Sequence, residues 1–147
     1  MTTNYNHVLV ATDMHFDDFP VVRKGVVLMK RNASHLTIVT VVPNVPYYMA
    51  SGLSSVSDIG QQLENDSAER LNDIKKKVKV NAGCDVEYVV LHGSPKHEIV
   101  RYAKEVGADA IVIGSHGQSG VQRLLGSTVT GVLHRAPCDV MVVRIQY

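Results

Sequence analysis

The stretch GSPKHEIVRYAKEVGADAIVIG, residues 93–114, contains the pattern of a helix followed directly by a strand. Ser94 is a natural N-cap, Pro95 fits the first helical position, and apolar residues then recur at helical spacing. Gly107 is a good helix terminator because glycine adopts the left-handed conformation without a Cβ clash. The run DAIVIG, residues 109–114, is apolar nearly throughout. Such a run is typical of a strand in a parallel sheet that helices cover on both faces.

Apolar runs of this kind recur along the chain, rich in Val, Ile and Leu: HVLVAT (7–12), LTIVTVV (36–42), DVEYVVL (85–91), DAIVIG (109–114) and DVMVVRI (139–145). Helical patterns separate them, so the element order is β-α-β-α-β-α-β-α-β. Right-handed crossovers with short connections make this a three-layer α/β/α fold with an open, doubly wound parallel sheet. We expect five strands in the order 3-2-1-4-5.

Prolines and capping residues mark the boundaries of the other helices. The first has Pro20 in its first turn, and the second begins near Ser57 or Asp58. The last starts near Ser127 and stops before Pro137, which cannot continue a helix without losing a hydrogen bond.

Length and composition indicate a single domain spanning residues 1–147. The formal net charge of +1 provides no field that would attract nucleic acid or anionic lipid. The amino end has no signal-like pattern, and no run approaches the ~18 apolar residues of a membrane helix. Cys84 and Cys138 read as two reduced core thiols, which suits a reducing compartment. We therefore expect a cytoplasmic protein without nucleic-acid or membrane partners.

Glycines at positions 114, 117, 120 and 126 follow the fourth predicted strand in IVIGSHGQSGVQRLLGST, residues 111–128. Ligands of parallel α/β sheets bind outside the carboxyl ends of the strands, and glycine lets backbone N–H groups approach a phosphate. The start of the next helix adds further donors. The spacing does not match a Walker A loop, a dinucleotide fingerprint or a serine-nucleophile elbow. The stretch therefore indicates a phosphate site of another kind.

That stretch, continued by VTGVLHRAPCDVMVVR at residues 129–144, resembles the C-terminal half of the universal stress protein family. HVLVATD resembles the family's opening strand, and GSP at residues 93–95 matches a recurrent element before its third helix. The resemblance covers almost the whole chain and implies an adenine nucleotide alpha hydrolase-like fold. In the family's ATP-binding branch the signature is Gly, two residues, Gly, nine residues, then Gly and Ser or Thr.

By position, the resemblance implies two groups of ATP contacts. Gly114 lies by the ribose, and the phosphates are held through backbone N–H and hydroxyl groups of Gly117, Gly126, Ser127 and Thr128. The strand-end residues that meet adenine and ribose are Ala11, Thr12, Asp13, Val41 and Ile113.

Further candidates complete the expected site. His116 lies inside the signature, and Arg123 is a secondary candidate for neutralising phosphate charge. A Mg²⁺ or Mn²⁺ ion bridging the phosphates is expected, since such ions take most of their ligands from phosphate and water. The seven histidines show no spacing typical of a protein-bound structural metal.

One departure from the signature leaves alternatives open. Eight residues, QSGVQRLL, separate Gly117 from Gly126, where the signature has nine. Either Gly120 lets the shorter loop turn tightly and keep all donors, or Gly126 shifts and phosphate binding weakens.

The favoured reading is a small ATP-binding stress-response regulator with at most slow ATP hydrolysis and no catalytic residues. The alternatives are a nucleotide hydrolase, an adenylyl-transfer enzyme, or a family member that binds no nucleotide. An adenylyl-transfer enzyme is disfavoured, because the chain has neither an SGGxDS loop nor a HIGH-like element.

The last predicted strand, Asp139 to Ile145, is expected at an edge of the sheet. An apolar exposed edge risks aggregation unless it is paired, and a second copy of the chain can pair with it. The resemblance likewise implies a homodimer joined through the final strands.

Overall fold

The helices and strands alternate along the chain. The computed structural model describes residues 4–12, 19–32, 34–42, 44, 56–82, 86–115 and 126–145. The elements are β1 (His7–Thr12), α1 (Phe19–Asn32), β2 (His35–Val42), α2 (Val56–Ala82), β3 (Val86–His92), α3 (Pro95–Val106), β4 (Ala110–Gly114), α4 (Ser127–Arg135) and β5 (Asp139–Val143).

The strands form one five-stranded parallel sheet with the order β3-β2-β1-β4-β5. This confirms the predicted fold class and strand order. The order reverses between β1 and β4, which is the switch point where ligands of such sheets bind. Because all strands run the same way, their last residues share one edge, the carboxyl edge, and their first residues share the opposite amino edge.

Both faces of the sheet are buried, which explains the continuous apolar runs. Along β1, Val8 and Val10 pack with α1 and α2, whereas Leu9 and Ala11 pack with α3 and α4. Polar residues occupy the outward helix faces. Among the helices of the described ranges, none combines the length and the apolar character that crossing a membrane requires.

The predicted element boundaries agree with the structure to within one or two residues, and the differences have identifiable causes. β2 begins one residue early because the His35 N–H donates to the Asn6 carbonyl at 2.9 Å. β5 ends at Val143, two residues before the predicted limit, because the Ile145 N–H donates to the Ser115 hydroxyl.

The two ends of α3 behave differently from each other. Gly107 is the C-cap in the left-handed conformation, φ 68°, as expected, and its N–H lies by the Ala103 and Lys104 carbonyls. Ser94 holds the N-cap position, but its hydroxyl makes no capping hydrogen bond and lies 3.1 Å from His97 Nδ1. The prediction of Ser94 as the N-cap residue is therefore confirmed in position, although its side chain does not cap the helix.

Of the two cysteines predicted to be reduced core thiols, the structure describes Cys138. Cys138 is free and half-buried, and burial is the main cause that raises the pKa of its thiol. Cys84 lies outside the described residues.

Candidate functional site

The carboxyl edge holds every predicted site residue that the structure describes: Ala11, Thr12, Val41, Ile113, Gly114, Gly126, Ser127 and Thr128. Strand ends supply the first five, and the start of α4 supplies the rest. The remaining predicted members, Asp13, His116, Gly117 and Arg123, lie outside the described residues, as does Gly120.

Three strand ends form an apolar row on the face covered by α3 and α4. Ala11 is in register with Val39 on β2 and with Ile113 on β4. Val41 lies two residues beyond Val39, about 8 Å from Ala11 by strand geometry. Ala11, Val41 and Ile113 are 6–7% exposed, whereas the deeper Leu9, Val39 and Ile111 are fully buried. The row therefore forms the rim of the core at the carboxyl edge.

The start of α4 is fixed beside this row. The Gly126 N–H donates to the Ser115 carbonyl at 3.1 Å, which joins the beginning of the helix to the end of β4. Val129, in the first turn, is 2% exposed and packs in the same core cluster as Ala11 and Ile113. One backbone hydrogen bond and one buried side chain thus set the position of the helix N-terminus.

The start of α4 carries backbone N–H groups that the helix itself does not use. The first helical hydrogen bond runs from the Thr130 N–H to the Gly126 carbonyl, so the N–H groups of Ser127 and Thr128 precede it. The N-cap residue, Gly126, has no side chain with which to cap the helix. Ser127 is exposed and Thr128 is half-buried. These N–H groups, two hydroxyls and the positive end of the helix dipole suit an anion.

The hydroxyl of Thr12 is engaged within the sheet. It donates to the Val39 carbonyl at 2.9 Å and so ties the end of β1 to β2. The proton is committed, but the oxygen retains lone pairs that can accept a hydrogen bond.

The two signature glycines that the structure describes lie in different surroundings. A Cβ on Gly114 would overlap the Cδ1 of Ile145, so a larger residue there would require the Ile145 side chain to move. Gly126 has φ −66° and ψ 161°, a conformation open to any residue. Its backbone geometry therefore does not require glycine.

The amino edge carries a separate polar cluster that the sequence interpretation missed. The His7 Nε2 lies 2.7 Å from the Thr37 hydroxyl, and the His7 and His35 rings meet edge to face at 4.8 Å. His35 Nε2 lies 3.2 Å from Glu87 Oε2. Asp109 accepts hydrogen bonds from the N–H groups of Asn6 and His7.

Burial is the main cause that lowers the pKa of His7, and the neighbouring His35 lowers it further. The two histidines meet because each is the first residue of its strand and the two strands pair in register, whereas the predicted second strand begins only at Leu36. Across the described ranges, no three His, Cys, Asp or Glu side chains are placed to hold a metal ion.

Comparison with known proteins decides the family. The model of the Universal stress protein family matches residues 4–144. The chain belongs to the universal stress protein family. It is 34% identical over 145 residues to Universal stress protein A homolog 2 of Coxiella burnetii, an alignment that covers 97% of each chain.

Solved universal stress proteins share the fold. UspA from Lactobacillus plantarum superposes with a TM-score of 0.85 at 25% identity, over 97% of this chain and all of that one. A universal stress protein solved in complex with cAMP gives a TM-score of 0.70 at 27% identity, over 96% and 98% of the two chains. The resemblance stated from the sequence is thereby confirmed.

Proposed function

We propose that this universal stress protein binds an adenine nucleotide, preferentially ATP, at the carboxyl edge. In this proposal it is a cytoplasmic stress-response regulator that acts through nucleotide-dependent conformation or partner binding. The observation that carries the proposal is the Ser115 to Gly126 hydrogen bond, which seats the N-terminus of α4 beside the apolar row.

The two halves of the edge match the two halves of a nucleotide. The apolar row of Ala11, Val41 and Ile113 suits the flat adenine ring. The N–H groups and hydroxyls of Ser127 and Thr128 suit phosphate oxygens, since a helix N-terminus favours negative charge. The cAMP complex of a relative with 27% identity supports an adenine nucleotide as the ligand class.

The donor set fits an ion held mainly by the ligand. The described site residues carry no carboxylate, and Asp13, outside the described residues, is the acidic member of the predicted set. A Mg²⁺ or Mn²⁺ ion would neutralise phosphate charge and take its ligands from phosphate oxygens and water. The protein's own contribution is then to hold the phosphates through N–H and hydroxyl groups.

Regulation of this kind needs no catalysis. A nucleotide that binds one conformation more tightly than another shifts the population toward it, and a partner can recognise that state. Turnover above about 1 s⁻¹, within the range of ordinary enzymes, would instead assign the chain to the hydrolase or transferase class.

We also propose that the chain forms a homodimer through β5. This strand ends the sheet order, and Met141 on it is 39% exposed. Met141→Lys should convert the dimer to a monomer in light scattering at micromolar concentration. Leu133→Lys, at another exposed large apolar side chain, should not. A monomeric wild-type protein would contradict the proposal.

Calorimetric titration with ATP, with and without Mg²⁺, tests nucleotide binding. Thr128→Val removes one hydroxyl at the start of α4. Loss of one hydrogen bond to a charged phosphate should lower ATP affinity about tenfold. Thr130→Val is the matched control, since it makes the same change two residues further along α4. Absence of binding by the wild type at millimolar ATP would overturn the proposal.

A further inference from the structure

Ser115 links three segments through three hydrogen bonds. Its N–H donates to the Val143 carbonyl at 2.8 Å, and its carbonyl accepts from the Gly126 N–H at 3.1 Å. Its hydroxyl oxygen accepts from the Ile145 N–H at 3.0 Å. One residue thus connects the end of β4, the start of α4 and the chain leaving β5.

Side-chain packing reinforces the same junction. The Ile145 side chain lies over Gly114, so close that a Cβ there would overlap it. Ile145 also packs with the core between the sheet, α1 and α2. The chain after β5 is therefore held against the first signature glycine by a side chain and against Ser115 by a hydrogen bond.

The junction is shielded from water. Ser115 is 7% exposed, and the Ile145 N–H that it receives is partly buried. Water does not fully replace the hydrogen bond that a partly buried N–H loses. The Ser115 hydroxyl therefore helps to fix the position of Ile145. The hydrogen bond from the Gly126 N–H to the Ser115 carbonyl also joins the end of β4 directly to the start of α4.

We propose that Ser115 is a positioning residue that couples the nucleotide site to the chain leaving β5. It holds the N–H groups at the start of α4 in position for phosphate. When phosphate orders these groups, the hydrogen bonds of Ser115 also order the chain at Val143 and Ile145. This inference rests on the proposed nucleotide binding. Coupling of this kind is reciprocal, so nucleotide should order the chain after β5, and loosening that chain should weaken nucleotide binding.

Ser115→Ala tests the coupling, because it removes the hydroxyl acceptor and keeps both backbone hydrogen bonds. In nucleotide-free protein, exchange of the Ile145 amide, measured by NMR, should accelerate about tenfold. Exchange of the Val10 amide, in the middle of the sheet, should stay unchanged. ATP affinity should fall about tenfold, whereas affinity for adenosine, which lacks phosphates, should fall less than about twofold.

The matched control is Ser67→Ala, which deletes the hydroxyl of another buried serine, on α2. It should leave Ile145 exchange and the ratio of ATP to adenosine affinity at wild-type values. In the wild type, saturating ATP should slow Ile145 exchange, and this slowing should be absent from Ser115→Ala.

Unchanged Ile145 exchange in Ser115→Ala, or equal losses of ATP and adenosine affinity in that variant, would overturn the inference. The same effects in Ser67→Ala would also overturn it, since they would reflect general loosening. A wild-type protein that binds no ATP would overturn the proposed function. Exchange in nucleotide-free protein would still decide whether Ser115 holds the chain after β5.

Discussion

The two edges of the sheet use polar groups in opposite ways. At the carboxyl edge, the described predicted site residues are uncharged, and their donors are backbone N–H groups and hydroxyls. At the amino edge, His7, His35, Glu87 and Asp109 meet one another or the backbone within hydrogen-bonding or ring-contact distance.

This difference separates recognition from stability. The amino-edge groups are largely satisfied by the protein itself, so their removal should cost folding free energy. The N–H groups at the start of α4 precede the first helical hydrogen bond, so they can donate hydrogen bonds to a ligand. Changes at the amino edge should therefore alter stability with little effect on nucleotide affinity, and changes at the carboxyl edge should alter affinity.

Asp109→Ala should produce the largest effect. The carboxylate accepts hydrogen bonds from the N–H groups of Asn6 and His7 at 2.8 and 3.0 Å. These bonds join the start of β1 to the start of β4. Loss of these charge-assisted bonds should lower the free energy of unfolding by about 2 to 3 kcal/mol in urea denaturation. ATP affinity of the folded protein should remain within about twofold of wild type.

Asp73→Ala, at an exposed position on α2, is the control and should change stability by less than about 0.5 kcal/mol. A large loss of ATP affinity in Asp109→Ala at a temperature where the variant is folded would contradict the separation between the edges.

The same substitution at the two edges gives a sharper comparison. Ala11 and Ala110 are 6% and 3% exposed, at the carboxyl end of β1 and the amino end of β4. Change to valine should overpack both sites and cost about 1 to 2 kcal/mol. Only Ala11→Val should also reduce ATP affinity, by about tenfold, because it narrows the apolar row. Equal affinities of the two variants would place adenine elsewhere.

The sequence predicted the sheet well because local patterns carry that information. Apolar runs and helical stripes specify the elements, and chirality with short connections limits their order. The carboxyl-edge residues were also predictable, because the ends of parallel strands necessarily meet. Ala11 and Ile113 are neighbours for this reason alone.

Contacts between side chains distant in sequence were not predictable. The hydrogen bond from Ile145 to Ser115 joins residues 30 positions apart, and no local pattern encodes it. Gly114 was assigned only to the ribose, whereas its contact with Ile145 gives it a packing role as well. The missing side-chain cap at Ser94 has a local cause instead, because its hydroxyl lies 3.1 Å from His97 Nδ1, three residues further along the chain.

The smallest expected effect is a pH dependence from the amino edge. Burial and His35 lower the pKa of His7, while the Val106 carbonyl, Glu87 and Asp109 act in the opposite direction. The unfolded chain therefore binds this proton more readily than the folded chain. Stability should fall as the pH drops below the unfolded pKa of about 6.5.

His7→Gln should flatten this dependence in urea denaturation between about pH 7.5 and 5.5. His134→Gln, at an exposed position on α4, should leave the slope as in the wild type. A slope that survives in His7→Gln would assign the pH dependence to other groups.

An NMR map of backbone amide shifts during ATP titration shows directly which edge of the sheet binds the nucleotide. The largest shifts are expected at Ser127 and Thr128, smaller ones at Ala11 and Ile113, and none at His35 and Glu87. Shifts concentrated at the amino edge, or a spectrum unchanged at millimolar ATP, would contradict the proposed site at the carboxyl edge.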